Sequence, residues 1–222
     1  MRVISGILKG KNIEGYNISG TRPTMDRVKE SVFSTIQDSI KNSVVLDLFA
    51  GSGQLGIEAI SNGSKLCYFI DNNKEATNTI KKNIELLNIK DKSIVLNYDY
   101  KKSLNYFKDN NIKFNIIFVD PPYDYDVLDK VISKILEYNL LEKKGILVIE
   151  HTKEIKGDYK DLYLYKAKKY GYKYINIYIR NNWFNIISSV CWQSRKILKI
   201  VFLFFEKSYI MNMRGSYSQQ IS

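Results

Sequence analysis

The tetrapeptide Asp120-Pro121-Pro122-Tyr123 directly follows the apolar run FNIIFV at 114–119. A carboxylate at the end of a buried strand stands where the carboxyl edge of a parallel sheet places chemistry. Two successive prolines remove two N–H donors and stiffen the backbone. The Pro121 carbonyl can therefore be held pointing into a site. Asp120 and that carbonyl make a pair of hydrogen-bond acceptors, which suits a group carrying two N–H bonds. Tyr123, beside them, can stack on a flat ring. The chain has only three prolines, and two are here.

A second constellation lies upstream. An apolar run ends in Asp47, followed by Leu48-Phe49-Ala50-Gly51-Ser52-Gly53-Gln54-Leu55-Gly56. The spacing Gly51-x-Gly53-x-x-Gly56 fits a strand-to-helix turn that a nucleotide can approach closely. Such a loop serves dinucleotides and S-adenosylmethionine (SAM) alike. Asp47 separates the two. A carboxylate at the mouth of the loop repels a pyrophosphate but can help hold the cationic amino-acid end of SAM, directly or through water. Asp71 ends the next apolar run, where an acid can accept both ribose hydroxyls in either cofactor class. Asp99, in NYDY, is placed to accept from an adenine amino group. It reads also as a helix N-cap.

With a SAM-like loop in front of it, DPPY resembles the motif of methyltransferases that act on exocyclic amino groups of bases. An amino group conjugated to a ring is a poor nucleophile. If Asp120 and the Pro121 carbonyl each accept one of its N–H bonds, the nitrogen moves toward tetrahedral geometry and its lone pair is aimed. The gain is positional and electrostatic. Tyr123 would stack on the target base, which must leave its helical stack to arrive.

The elements that must position these groups follow from periodicity. Residues 2–13 alternate weakly around Gly6 and Gly10 and read as a small hairpin or arm. Pro23 and Thr24 mark a helix start, and Val28, Val32, Phe33, Ile36 and Ile40 form one apolar face, giving a helix from Met25 to about Ile40. Strands are expected at 43–48, 66–70, 93–97, 114–119 and 145–150. They alternate with helices at 54–61, 74–87, 101–110 and 125–138. The strands are apolar throughout, as in a parallel sheet covered on both faces. Runs at 159–165 and 172–179, separated by KAKKYG, read as an antiparallel pair closing the edge. Residues 183–222 hold both tryptophans and no clear period.

Composition narrows the partners. In 222 residues, 34 lysines and arginines face 23 acids, for a net charge of +11. That favours a polyanion such as nucleic acid, or marks a merely basic protein. Five basic residues and one acid in the tail account for +4 of it. Two cysteines, Cys67 and Cys191, make no disulfide scaffold, and one histidine, His151, makes no Cys/His zinc cluster. A lone histidine after a strand reads as structural. No signal peptide is evident and no apolar run is long enough to span a bilayer, so the cytoplasm is the expected compartment.

Three segments converge on one family. TRPTMDRVKESVF at 21–33, LDLFAGSGQLGIEA at 46–59 and FVDPPY at 118–123 are similar to the bacterial 16S ribosomal RNA guanine-N2 methyltransferases of the small subunit. KKYGYKYINIY at 168–178 and the arm RVISGILKGKNI are similar to that family's closing hairpin and N-terminal extension. The resemblance covers about residues 1–180. It implies an α/β, Rossmann-like seven-stranded fold with a short N-terminal hairpin and helix extension. It implies SAM as donor and N2 of a guanine of the position-966 type as acceptor. Matched residue by residue, it assigns the cofactor site to Asp47, Phe49, Gly51, Gly53, Asp71 and Asp99. It assigns catalysis to Asp120, Pro121, Pro122 and Tyr123. Arg22, Thr24, Asp26 and Arg27 match a motif beside the site; Arg22 and Arg27 are expected to divide between substrate or cofactor contacts and ion pairs with Asp26 and Glu30. The organisation expected is an arm at 1–24, a methyltransferase domain at 25–182, and a tail at 183–222 of uncertain status, either an appendage or a downstream reading of the message. The expected partner is 16S rRNA or the small subunit, met by a monomer without metal or membrane.

Rival readings are a DNA adenine-N6 methyltransferase, a non-catalytic RNA-binding Rossmann protein, and a nicotinamide-dependent dehydrogenase. The first lacks room for a DNA-reading domain between Gly53 and Asp120. The second leaves Asp47, both loop glycines and DPPY intact without reason. The third leaves DPPY unexplained.

Overall fold

A computed structural model describes residues 1–15, 22–122, 125–152 and 159–181. Within the helices, side chains are not described for residues 22–25 and 125–126. Tyr123, Trp183, Cys191 and the remainder of the tail lie outside the described residues.

Residues Met1–Asn181 form one compact unit. Its sheet has seven strands: β1 (Val44–Asp47), β2 (Leu66–Ile70), β3 (Ser93–Leu96), β4 (Phe114–Val119), β5 (Leu141–His151), β6 (Leu162–Tyr170) and β7 (Lys173–Arg180). Their spatial order is β3-β2-β1-β4-β5-β7-β6. Strands β1 to β5 run parallel, while β7 is antiparallel to β5 and to β6. The helices are α1 (Arg22–Ile40), α2 (Gln54–Ser61), α3 (Lys74–Leu86), α4 (Tyr100–Asp109) and α5 (Tyr125–Glu137).

Two apolar clusters cover the two faces of the sheet. Val28, Val32, Phe33 and Ile36 of α1 pack with Ile57 and Ile60 of α2, Ile80 and Ile84 of α3, and Phe118, Val148, Ile175 and Ile177 from the sheet. Phe33 and Phe118 rings lie 5.7 Å apart. On the other face, Leu104 and Phe107 of α4 and Leu128, Val131, Ile132 and Ile135 of α5 pack over Leu46, Ile117 and Leu147. Side-chain alternation along each strand feeds both clusters, which is why the strands read as unbroken apolar runs. Each such side chain, fully buried, contributes roughly 1.5–3 kcal/mol.

Three expectations are corrected. Helix α1 begins at Arg22, not Met25, with Pro23 inside its first turn. The missing N–H costs nothing there, because the first turn has no carbonyl to receive it. Strand β5 starts at Leu141, four residues before the expected Gly145, and its register with β4 shifts between Phe114 and Ile116. KAKKYG is mostly strand: β6 runs to Tyr170, and the turn falls at Gly171 and Tyr172. The arm at 2–13 folds back as a small hairpin, as expected: Arg2 bridges Asn12 antiparallel, and the N–H groups of Val3 and Ile13 donate to the carbonyls of Lys11 and Met1, each at 2.9 Å. Its anchor is Glu58 of α2, buried, whose carboxylate accepts from the N–H groups of Ile4 and Ser5.

No helix among the described residues is long and apolar enough to cross a membrane.

Candidate active site

The crevice of a doubly wound sheet opens where successive connections leave on opposite faces, here between β1 and β4. The chain after β1 passes to α2 on one face, and the chain after β4 passes to α5 on the other. All the predicted acids whose strands are described reach this edge.

The glycine loop is tied down at four points. Leu48 N–H donates to the Phe118 carbonyl at 3.0 Å and Ala50 N–H to the Ile70 carbonyl at 2.8 Å. Gly51 N–H donates to Asp71 Oδ2 at 2.8 Å. Gly56 N–H donates to Asp47 Oδ2 at 2.9 Å. Gly53 is the N-cap of α2 with φ of 78°, a left-handed turn that side-chain-bearing residues rarely adopt. Gly56 answers a different need. A Cβ there would stand 2.3 Å from Phe69 Cε1 and 2.6 Å from Cys67 Sγ, so only a glycine lets α2 settle onto β2.

Asp47 is buried, at 3% exposure. Burial pushes its pKa from 3.8 to about 7, against the Gly56 hydrogen bond and with help from the charge of Asp71. A buried carboxylate poised this way gains most from a cation arriving nearby. Asp71 is engaged on both oxygens, since Oδ1 accepts from Asn73 N–H at 2.8 Å. Its backbone carbonyl is held by the Asn97 side-chain amide at 2.9 Å.

Leu48, Phe49, Ile70, Asp71, Asn72, Tyr98, Asp99 and Tyr100 line one cleft at the tips of β1, β2 and β3. Aromatic and aliphatic walls suit an adenine ring, with Phe49 and Tyr100 rings 6.0 Å apart. Two carboxylates suit ribose hydroxyls and an adenine amino group. Asp99 has both of its expected places: it faces the cleft, and its Oδ1 caps α4 by accepting from Lys102 N–H at 2.9 Å. The residues present thus fit SAM. Ile70, Asn72, Tyr98 and Tyr100 escaped the sequence reading, because nothing in their spacing separates cleft walls from ordinary strand ends.

Asp120 leaves β4 two residues beyond the Asp47–Phe118 register pair, opposite the start of the glycine loop. Its pKa is pushed up to about 8, first by burial, then by Glu150; Lys173 opposes and Asp47 adds. The residue is exposed as a whole, so solvent screens part of that shift, and the upward direction stands. Glu150 and Lys173 were not foreseen. Val119 pairs with Ile149 across β4 and β5, which puts Glu150 beside Asp120. Lys173 Nζ donates to Glu150 Oε1. Pro121 is half-buried and Pro122 exposed.

On α1, Asp26 pairs with Lys29 at 3.3 Å and with Arg2 of the arm at 3.7 Å, while Arg27 is exposed. Lys29 is buried and also donates to the Arg2 carbonyl at 3.1 Å. The described partners of Asp26 are therefore these two cations, neither of which the sequence singled out. His151 is buried and stacks on Tyr174 with ring centroids 5.5 Å apart, on the face of β5 opposite Glu150, as a structural histidine does.

The geometry can be set against known proteins. The family described as conserved hypothetical protein 95 matches residues 1–179. The chain belongs to that family. A Bacillus subtilis protein provisionally named an rRNA methyltransferase is 38% identical over 180 residues, covering 80% of this chain and 98% of the relative. The ribosomal RNA small subunit methyltransferase D of Haemophilus influenzae is 35% identical over 157 residues, covering 69% of this chain and 80% of the relative. A solved structure from Escherichia coli, provisionally named a methyltransferase, superposes with TM-score 0.73 at 27% identity, covering 82% of this chain and 98% of that one. In fold and in family, this chain is a SAM-dependent methyltransferase of the Rossmann-like, seven-stranded kind.

Proposed function

We propose that the protein methylates the exocyclic N2 amino group of a guanine, of the position-966 type, in 16S rRNA of the small ribosomal subunit. It acts in the cytoplasm, where such subunits are made. The observation that carries this reading is the placement of Asp120 and Pro121 at the carboxyl end of β4, next to the end of β1 from which the glycine loop springs.

SAM, when bound, supplies an electrophilic methyl carbon on a sulfonium. The chain's own groups do the rest. Phe49, Tyr98 and Tyr100 wall the cleft, and Asp71 and Asp99 accept from its occupant. Asp47 offers a buried negative charge to a cation. Asp120 and the Pro121 carbonyl accept the two N–H bonds of the target amino group, so that its lone pair faces the methyl. Holding two reactants in such an arrangement replaces a bimolecular encounter. The amino proton departs after transfer, toward Asp120 or water. Tyr123 stacks on the extruded base.

Tritium transfer from labelled SAM tests this, with small subunits, naked 16S rRNA and adenine-rich duplex DNA offered in parallel. Label in rRNA, recovered as N2-methylguanosine after digestion, is expected. Label only in DNA overturns the reading. Asp120→Ala is expected to abolish transfer while SAM still binds.

A further inference from the structure

Strict alternation along β6 would group Tyr163 with Tyr165, Ala167 and Lys169. The strand does not alternate strictly. Its pairing with β7 passes from Leu164↔Tyr178 to Lys166↔Ile177, leaving Tyr165 as a bulge. Bulges re-aim side chains, often beside functional sites. Beyond it, Lys166, Lys168 and Tyr170 lie opposite Ile177, Ile175 and Lys173, and before it Tyr163 lies opposite Ile179. Tyr163, Lys166, Lys168 and Tyr170 therefore share one face of the edge strand.

That face is the one α1 covers. Ser31, Val32, Lys166, Lys168, Tyr170, Ile175 and Ile177 line a shallow groove between helix and sheet. Lys166 Nζ donates to Thr35 Oγ1 at 2.7 Å, and Lys168 Nζ reaches Ser31 Oγ at 3.5 Å. Residues four apart on a helix meet residues two apart on a strand, both near ~6 Å, so the two contacts run in step. No carboxylate among the described residues pairs with either ammonium. Two like charges held together without a counter-ion are costly unless an anion comes from outside.

The row also points somewhere. Tyr170 lies opposite Lys173, which binds Glu150, the neighbour of Asp120. It thus leads outward from the catalytic edge. Tyr163, at the far end, is 49% exposed. Cations interleaved with open aromatic rings are how proteins follow a single strand.

We propose that Tyr163, Lys166, Lys168 and Tyr170, with Ser31 of α1, form a track for the phosphate backbone of single-stranded RNA flanking the methylated base. This rests on the rRNA reading above. The lysines take successive phosphates, and Tyr163 takes a base. Burial and the charge of Lys168 hold the Lys166 ammonium below its ordinary pKa, a penalty that phosphate relieves.

Fluorescence anisotropy with a short labelled single-stranded RNA of mixed sequence, over a potassium chloride series, tests the track in the full chain. The double variant Lys166→Gln/Lys168→Gln is expected to bind at least about tenfold more weakly at low salt. The slope of log K against log salt should shrink by about 1.4, two phosphates at roughly 0.7 each. Lys90→Gln/Lys92→Gln, altered before β3, should lose less of both. An unchanged slope, or a loss no larger than in that control, overturns the proposal. Equal or tighter binding of duplex DNA by the unaltered protein overturns the RNA assignment. Unaltered melting and SAM affinity in the Gln pair exclude misfolding. Should the pair misfold, a photocrosslinker in place of Tyr163 decides: covalent capture of the RNA is expected, and its absence overturns the track. If the unaltered protein binds no RNA at all, the rRNA reading itself fails, a result distinct from these.

Discussion

Lys173 on β7 binds the carboxylate of Glu150 on β5, and Glu150 stands beside Asp120 across the β4–β5 register. One cation and two acids therefore meet at the carboxyl edge, on the face that α1 covers. Asp47 from β1 adds a further negative charge. On α1, Asp26 and Lys29 neutralise each other. Asp120 works as an acceptor best when ionised, and its pKa is raised toward about 8. Transfer should accordingly increase with pH through an acidic limb. Lys173→Met removes the one opposing charge and should move that limb to higher pH. Glu150→Gln removes a repelling charge and should move it to lower pH. Single-turnover rates across pH give both profiles. A merely structural pair would lower the rate in both variants without shifting the limbs in opposite directions, and that result would sink the idea.

Asp47 predicts a second pH dependence. Its folded pKa, about 7, lies above the ordinary 3.8. The folded state thus binds the extra proton between those values. The stability this contributes is present at low pH and is lost as pH rises through about 7, by something on the order of 4 kcal/mol. A cation bound beside Asp47 favours the ionised form, so SAM affinity should rise with pH over the same window. In Asp47→Asn both trends should flatten, with weaker SAM binding at high pH and a higher melting point for the free protein. Calorimetric titration and melting curves at several pH values check this. A variant that keeps the wild-type pH trend in SAM affinity would remove Asp47 from the cofactor site.

Much of this arrangement was legible from residues alone. Helix α2 and strands β2 and β4 begin and end where the apolar pattern put them, because strands buried on both faces leave no ambiguity. Asp47, Asp71, Asp99 and Asp120 were readable because each lies at or just past a strand end, and the connections carry strand ends to one edge. What stayed hidden depends on register. Glu150 and Lys173 sit 23 residues apart in separate strands, and only the β5–β7 pairing joins them. Strand β6 looked like a loop in KAKKYG, since an edge strand has little apolar face to show. Its bulge, which regroups Tyr163 with Lys166, leaves no mark in composition.

The fit of α2 on β2 gives a stability prediction. Gly56→Ala places a methyl against Phe69 and Cys67, both fully buried, within 2.3 and 2.6 Å. Neither neighbour is a flexible end. Overpacking of this kind costs about 1–3 kcal/mol, and the helix must lift from the sheet to relieve it. Because Gly56 N–H also holds Asp47, SAM affinity should fall along with the melting temperature. Denaturant unfolding and cofactor titration measured on one preparation check both. A variant as stable as the wild type would mean that α2 shifts freely, and the glycine would then have no packing role.

Asn83 is a polar residue on the buried face of α3, one turn from Ile80 and next to Ile84, and it is fully buried. Its Oδ1 accepts from Glu14 N–H at 2.7 Å, and its Nδ2 donates to the carbonyls of Glu14 and Ser52 at 3.0 and 3.1 Å. One amide thus clamps the N-terminal arm and the glycine loop to the same helix. Asn83→Ala strips three bonds and leaves the buried Ser52 carbonyl and the partly buried Glu14 backbone groups without that partner, for a loss of about 2–4 kcal/mol. Asn83→Asp keeps the acceptor but loses both donors, so its damage should concentrate on Ser52 and the loop. SAM affinity should fall in both variants, and the arm should exchange its amide hydrogens faster in the alanine variant than in the aspartate one. Hydrogen exchange at Glu14, which loses its acceptor only in Asn83→Ala, separates the two effects. Equal exchange there in both variants would show that the arm holds without Asn83, through its bonds to Glu58 and Ser61 of α2.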